Sequence, residues 1–412
     1  MHDKQHRVSS ARAAAYAFFL VGLSGCALLA NIGGPGVEDD QVIGTGSNHP
    51  DADPSTAQQE GGTPTPPATC SADLSTDLHN CGFCGHECGE GTCTQGLCAP
   101  TSIVKTTGVR ALAADEQRVT FTTEHDVQGC PAKAGATCVS LADPALVAAA
   151  FRAGQSQGFG EGTGAGSSGN NVVALPLAPR ALALFADRFY LADAANFGIV
   201  VCPTTGCTAT TLAIVLVSGA DFTGALGADA KTVKWGESFG IGEAVAPTPT
   251  KQSSGQLDFM ANAHSATRIE MGRTGAPSEA FVYRGNEGVF SIGADSNAVP
   301  VALLADPSVR DFAVDPQSVY VAKADVVLRI DRTTHAQTTL LQLPAGSSVL
   351  RVVADAAGVY ATVKGSAGDE RLVHVRAGGV DALASSTSFG AIALTAQWLY
   401  VATTEGIQRI AR

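Results

Sequence analysis

Eleven cysteines are the residues of this 412-residue chain with the widest chemical options: acylation, disulfide formation or metal binding. Their spacing sorts them into three sets. Cys26 stands alone at the end of an apolar run. Cys70, Cys81, Cys84, Cys88, Cys93 and Cys98 follow as C-x10-C-x2-C-x3-C-x4-C-x4-C. Cys130 with Cys138, and Cys202 with Cys207, form two close pairs. The six clustered cysteines have little apolar company beyond Leu74, Leu78, Phe83 and Leu97, so a knob of that size needs covalent staples. Three disulfides among six cysteines allow 15 pairings, which spacing cannot sort. Zinc is the competing reading, from Cys81-x2-Cys84 with His79 and His86 nearby. An oxidising compartment argues against it.

Other reactive residue types are scattered. An Asp recurs at positions 115, 187, 229, 315 and 355, each between two short apolar stretches. These five could be imagined as a ring of metal ligands. The favoured reading is a tight turn that each caps through its own backbone, since Ala396-Gln397 lacks the Asp without loss of the pattern. His125, His264, His335 and His374 fall in different turns, with no nucleophile motif and no HExxH. Glu237, Glu243, Asp258 and Glu270 lie in an irregular stretch and could supply acid/base carboxylates only if the fold converged them. No catalytic residue, no resident metal and no cofactor is assigned from the sequence.

The N-terminus gives an address. His2, Lys4, His6, Arg7 and Arg12 precede Ala13–Leu23, an apolar run of signal-peptide length that is too short to span a bilayer. The segment Leu23-Ser24-Gly25-Cys26 resembles a bacterial lipobox. The resemblance implies diacylglyceryl transfer to the Cys26 sulfur, cleavage before Cys26 and acylation of the new N-terminus. Two or three acyl chains, palmitate among them, hold a protein stably on a membrane. Ala27 leans toward the outer membrane under the enterobacterial sorting rule.

The whole chain has 26 basic and 38 acidic residues; without Lys4, Arg7, Arg12 and Asp3 of residues 1–25, 23 and 37 remain, a net charge of −14. Such a chain is a poor nucleic-acid binder and would not adsorb to anionic lipid, so its membrane link should be covalent, through Cys26. Residues 26–69 carry Gly33-Gly34-Pro35-Gly36 and Gly61-Gly62-Thr63-Pro64-Thr65-Pro66-Pro67. They read as a disordered tether spanning roughly 35 Å on average.

The cysteine cluster carries a second resemblance. Asp73-Leu74 through Asn80-Cys81-Gly82-Phe83-Cys84-Gly85-His86-Glu87-Cys88 resembles a module of myxobacterial surface lipoproteins. In that module a DL…NCGxCGxxC core is followed by GxC steps, here Gly91-Thr92-Cys93 and Gly96-Leu97-Cys98. It implies extracytoplasmic display and no reaction. Cys202-Pro203-Thr204-Thr205-Gly206-Cys207 likewise resembles propeller-like myxobacterial surface proteins. That implies a local disulfide at 202/207 and, at the same place in the preceding unit, at 130/138.

What must position all this is a repeat. From residue 101 a unit recurs: a short apolar strand, an Asp turn, then a strand bearing an aromatic. It is clearest in Phe312-Ala313-Val314-Asp315 with Val319-Tyr320-Val321, and in Val352-Val353-Ala354-Asp355 with Val359-Tyr360-Ala361. Marker aromatics at 121, 190, 235, 283, 320, 360 and 400 settle into a period near 40, with third and fourth strands such as Val326–Ile330 and Thr338–Leu341. This is a β-propeller signature. The fold class is all-β, a propeller of seven blades with six or eight as alternatives. A disulfide-rich module and a tether precede it. The last unit lacks a fourth strand, and Ser102–Thr106 is the candidate to supply it, closing the ring. Phe151–Asn171 reads as a Gly-rich surface loop, and 242–277 as a long loop over one face.

The chain therefore divides into a lipoprotein signal peptide (1–25), a lipid-anchored linker (26–69), a Cys module (70–100) and the propeller (101–412). The expected function is display at the cell envelope, for binding or scaffolding of an envelope or extracellular protein or glycan. The alternative is a lactonase- or lyase-like propeller enzyme with a metal in its central funnel. The two differ in the funnel wall: three or more acidic, His or Asn side chains would favour the enzyme, an apolar or Gly/Ala wall the binding module.

Overall fold

The computed structural model describes residues 73–156, 177–195, 198–217, 222–238, 240–247, 253–254, 256–258, 266–272, 279–285, 287–293, 300–356, 358–376 and 379–412. Cys26, Cys70 and the segments expected to be signal peptide (1–25) and linker (26–69) lie outside them. Among the described residues no helix is long and apolar enough to cross a membrane.

Seven antiparallel sheets follow one another along the chain. Blade 1 is Ala111–Ala114, Arg118–Thr122, Val127–Pro131 and Val139–Ser140. Blade 2 is Pro179–Phe185, Arg188–Asp193, Gly198–Pro203 and Ala213–Leu216. Blade 3 is Phe222–Ala228, Thr232–Glu237, Gly240–Val245 and Gln256–Asp258. Blade 4 is Ala266–Met271, Ala280–Arg284, Gly288–Ile292 and Val301–Leu304. Blade 5 is Val309–Val314, Ser318–Lys323, Val326–Asp331 and Gln337–Gln342. Blade 6 is Ser348–Asp355, Gly358–Lys364, Glu370–Arg376 and Gly379–Ser386. Blade 7 is Phe389–Leu394, Trp398–Thr403 and Gly406–Ala411, completed by Thr101–Val104.

That last pairing, Thr101 opposite Arg409 and Ser102 opposite Gln408, joins the start of the ring to its end. It removes two sheet edges that would otherwise expose unpaired backbone groups. The first strands of successive blades are neighbours all the way round, including blade 7 to blade 1. They line the axis of a closed seven-bladed propeller. Between blades the faces are apolar: Ala313, Tyr320, Val352, Val359 and Val373 form one cluster across blades 5 and 6. The strands alternate, and both faces are buried, so nearly every residue of a middle strand such as Ser318–Ala322 is inaccessible.

Three expectations are corrected. The described parts of the stretch 242–277 are mostly strand rather than one long loop. Gly240–Val245 and Gln256–Asp258 are the outer half of blade 3, and Ala266–Met271 is the inner strand of blade 4. Ser253–Ser254 adds a fifth, parallel strand to blade 2, beside Val215 and Leu216. Apolar alternation was hidden there because Arg268 and Glu270 occupy strand positions and neutralise each other.

Second, the Gly-rich run begins inside a helix. Pro144–Ser156 is α-helical, capped by Asp143, whose carboxylate accepts the Ala145 amide at 2.8 Å. The signal was present: Asp at the cap, Pro at the first helical position and an Ala-rich run. Val147 and Phe151 pack it onto Val200 and Ile214 of blade 2 and onto Leu177 just before it. A Cβ at Gly198 would run into the Phe151 ring, so glycine admits the helix to the blade edge.

Third, the aromatic ruler is out of register in the early blades. Strand pairing makes Thr120, Tyr190, Lys234, Phe281, Tyr320, Tyr360 and Tyr400 equivalent. Phe121, Trp235 and Tyr283 lie one, one and two places further on. Any large side chain on either blade face satisfies the packing, so the aromatic can slip while the turn holds its place.

The cysteine module packs against the ring within one compact unit, Pro64–Arg412. Cys81 pairs with Cys93 and Cys88 with Cys98, at Cα separations of 5.6 and 5.1 Å, and Cys84 is also disulfide-bonded. Phe83 stacks on His86 (4.5 Å between ring centres), joins the apolar cluster around Leu383 and Leu399, and receives the Arg376 guanidinium at 5.2 Å. Arg409 of blade 7 ion-pairs with Glu90 of the module, lies over the Trp398 ring at 4.4 Å and donates to the Ala132 carbonyl at 2.6 Å. One guanidinium therefore ties the module, blade 7 and the 130–138 hairpin together.

Candidate functional site: the central channel

The inner strands of six of the seven blades, all but blade 5, line a cavity of about 500 Å³. Its wall is made of residues that a propeller axis selects for small size: Ala113, Ala183, Gly227, Ala354 and Ala393. Leu112, Leu184 and Leu394 add apolar surface. Charged side chains stand at two levels along the inner strands, and of the turn aspartates only Asp229 lines the cavity.

The first level is where the inner strands end and the Asp turns begin. Asp115 accepts the amides of Gln117 and Arg118, both at 2.8 Å. Asp229 accepts those of Lys231 and Thr232 at 2.7 Å, and Asp315 those of Gln317 and Ser318 at 2.6 Å. Asp355 accepts Gly358 at 3.2 Å and is also gripped by Arg412 at 2.5 and 2.9 Å. In blade 7 the place belongs to Thr395, whose hydroxyl accepts the Trp398 amide at 3.2 Å. Asp187 is the exception. It lies two residues past the equivalent position, Phe185, and is exposed near Arg188 at 4.0 Å. Four of the five recurring Asp residues are thus turn caps, and their carboxylates are occupied by backbone donors.

The second level is the other mouth, where the inner strands begin. Arg110, Arg180 and Arg351 line it, together with Thr267 and Gly224. Most inner strands have a register shift here, between Pro179 and Ala181 in blade 2 and between Val349 and Arg351 in blade 6. A bulge of this kind re-aims a side chain. The signal was in the sequence: Arg110, Arg180 and Arg310 each stand five residues before their strand's turn position, and Arg351 stands four before Asp355.

In the same strand row as Arg351 begins an ion cluster. Arg268 of blade 4 bonds Glu270 of its own strand and Asp311 of blade 5. Glu270 also accepts the Val314 amide at 3.0 Å, and Asp311 the Val352 amide of blade 6 at 2.9 Å. Burial alone would pull the Arg268 pKa down. The carboxylates of Asp311 and Glu270 outweigh it, so the guanidinium is held charged, above its ordinary value. The ring of Phe312 lies 5.5 Å away. This cluster joins three blades.

The other carboxylates considered as acid/base groups do not converge. Glu243 is paired with the buried Lys234, and Glu237 accepts the Trp235 indole N–H at 2.7 Å. Asp258 is on the outer strand of blade 3. His374 stacks on Tyr360 at 4.7 Å, with its pKa lowered chiefly by burial. His335 occupies a left-handed turn position (φ 57°) outside the ring. His125 lies in the turn before Val127–Pro131, and His264 lies outside the described residues.

Among the described residues, the only three Cys, His, Asp or Glu donors close enough to share an ion are Cys81, Cys88 and Cys98, within 4.8 Å. All three sulfurs are oxidised in disulfides, so they have no thiolate to offer a metal. His86 faces the Cys81 carbonyl (2.6 Å) and the Ala411 carbonyl (3.4 Å), and His79 is at the surface beside Glu87. The zinc reading of the module therefore has no ligand set here. In the ring, Cys130 is joined to Cys138 and Cys202 to Cys207, each closing the connection from third to fourth strand.

No protein-family model and no curated protein matches this chain. Solved structures do. A chain of the "Mitotic Checkpoint Complex" superposes with TM-score 0.53 at 11% identity, over 76% of this chain and 94% of that one. The extracellular domain of a one-component system of B. thetaiotaomicron gives TM-score 0.49 at 12% identity, over 76% and 39%. The WD40 β-propeller domain of Doa1 gives 0.46 at 11%, over 76% and 95%. At such identities the likeness is one of fold.

Proposed function

We propose that this protein is a cell-envelope lipoprotein that displays its propeller as a binding or scaffolding module for an envelope or extracellular protein or glycan. One observation carries the reading. The channel wall is built of Ala, Gly and Leu, and its two lining carboxylates, Asp229 and Glu270, are already bonded, by a turn and by Arg268. A hydrolytic funnel needs free carboxylates or imidazoles converging on one point. A closed ring with rigid walls and variable loops suits recognition instead.

The address rests on Ala13–Leu23 and Cys26, with acylation at Cys26 and the linker 26–69 holding the folded part away from the lipid. The disulfides of the module and of blades 1 and 2 accord with an oxidising compartment. The outer membrane is the proposed destination.

The test uses the full chain, expressed in a Gram-negative host and fed an alkyne analogue of palmitate. The wild type should take up the label and sediment with membranes; Cys26→Ser should do neither. Label on Cys26→Ser would overturn the anchoring. A cross-linking pull-down through a tag inserted between residues 27 and 69 tests the rest. A specific envelope protein or glycan supports the display reading. A stoichiometric calcium or transition metal with no partner overturns it in favour of the funnel enzyme.

A further inference from the structure

We propose that the mouth of the channel bearing Arg110, Arg180 and Arg351 is a binding site for a small polyanion, a ligand with two or more carboxylate or phosphate groups. It deepens, and rests on, the reading of the propeller as a binding module.

The three arginines come from blades 1, 2 and 6 and line a single cavity of about 500 Å³, within the size range of small-molecule sites. They stand in a chain of net charge −12, so this cationic arc runs against the overall balance of the protein. Among the described residues, neither Arg180 nor Arg351 has a side-chain acceptor. The charge of Arg268 is spent on Asp311 and Glu270. Arg110 meets Glu124 at 3.3 Å, but both are half exposed or more, and such a pair is worth little. Three guanidinium forks are therefore available at one opening.

The neighbouring positions leave room for a ligand. Where blades 1 and 2 place Arg110 and Arg180, blade 3 has Gly224, which lines the same cavity beside Arg180, so that strand contributes no side chain there. Each guanidinium can grip one carboxylate or phosphate through two parallel N–H donors. Because the three come from separate blades, they reward a ligand whose anionic groups are spread rather than concentrated at one atom. The apolar Ala and Leu wall deeper in the channel would cover the carbon skeleton of such a molecule. The charged groups at this mouth are guanidinium donors, and the two carboxylates that line the cavity, Asp229 and Glu270, are committed, so it favours binding over turnover.

The test is calorimetric titration of the detergent-solubilised full chain with citrate for the carboxylate arm and pyrophosphate for the phosphate arm. Acetate serves as the single-charge control. The wild type should bind citrate or pyrophosphate with one site per chain, and acetate at least about tenfold more weakly; added salt should weaken the binding. Arg180→Gln with Arg351→Gln should lose at least about tenfold in affinity, while Arg371→Gln on the outside of blade 6 should not. Unfolding of each variant checks that the ring is intact. Should the double variant fail to fold, Arg180→Lys and Arg351→Lys, which keep the charge but lose the fork, should each weaken binding and leave unfolding unchanged. No binding of either probe, or binding untouched in the arginine variants, overturns the proposal. A partner captured equally by wild type and double variant sinks the anion site and leaves the display reading standing. A probe that is bound and chemically converted sinks the display reading and leaves the site.

Discussion

Blades 5 and 6 and blades 3 and 4 share one topology and are held by different chemistry. The interface of blades 5 and 6 is aliphatic, from Val327 and Leu341 through Val349, Val352, Val363 and Val375, with Tyr320 at the marker position. That of blades 3 and 4 has a smaller apolar set, Ala225, Ile241, Ala266, Ile269 and Val282. Lys234 stands where blades 5 and 6 have Tyr320 and Tyr360, and Glu270 where they have Ala313 and Val353; Lys234 pairs with Glu243, and Glu270 with Arg268, which also reaches Asp311 of blade 5. A hydrophobic interface is non-directional and tolerates any filling of the right volume. An ionic one tolerates nothing that leaves a charge alone. The first leaves a strict 40-residue period in the sequence; the second breaks the period while keeping the strand.

The comparison is broken most sharply at Asp311. Asp311→Ala would leave the buried Val352 amide without its acceptor and the Arg268 guanidinium with Glu270 alone, and should cost about 3–5 kcal/mol in denaturant unfolding. Arg268→Met with Glu270→Gln and Asp311→Leu should cost less than the single change, because no charge is left unpaired. Equal costs would mean that the cluster is not what joins blades 4 to 6.

The turns give the next effect. Asp315→Ala removes the acceptor for Gln317, Ser318 and the Tyr320 hydroxyl, and should destabilise by about 1–3 kcal/mol. Asp187→Ala, at a residue that looks alike in the sequence, should stay within about 0.5 kcal/mol. Like costs at both would restore Asp187 as a cap.

Tyr320 sharpens the same point through pH. Burial, then its bond to Asp315, pushes its phenol up to about 12. A raised pKa in the folded state means stabilisation that is complete below the ordinary value of 10 and lost as pH climbs toward 12. The ultraviolet difference titration of wild type against Tyr320→Phe should therefore have its midpoint well above pH 10. A midpoint at 10 would place the phenol in water.

The smallest effect belongs to the rim of blade 5. The Lys323 ammonium, with Ser308, holds the Asp306 carboxyl down at about 2. This contribution is present above the ordinary 3.8 and disappears as pH falls through 2. The pair is partly exposed, so Asp306→Asn should cost under about 1 kcal/mol at neutral pH, and less in high salt.

Legibility follows the same divide. Val319-Tyr320-Val321 and Val359-Tyr360-Ala361 announce their strands because alternation and turn residue agree. Ala266–Met271 did not, because an ion pair reads as a loop when its partner, Asp311, is more than forty residues away. The helix Pro144–Ser156 was readable from its cap and was overshadowed by the glycines that follow it.

The sequence by itself determined the repeat, the turn at the end of each inner strand and the borrowed strand Thr101–Val104 that closes the ring. Each of these depends on local backbone preference or on a period, both of which are written along the chain. Tertiary structure alone decided which charges meet. Arg268 finds Asp311, Arg409 finds Glu90, and Arg110, Arg180 and Arg351 share one mouth. The reason is the period of two along a strand: a one-residue bulge turns a side chain from a blade face to the channel, and only the folded register places the bulge.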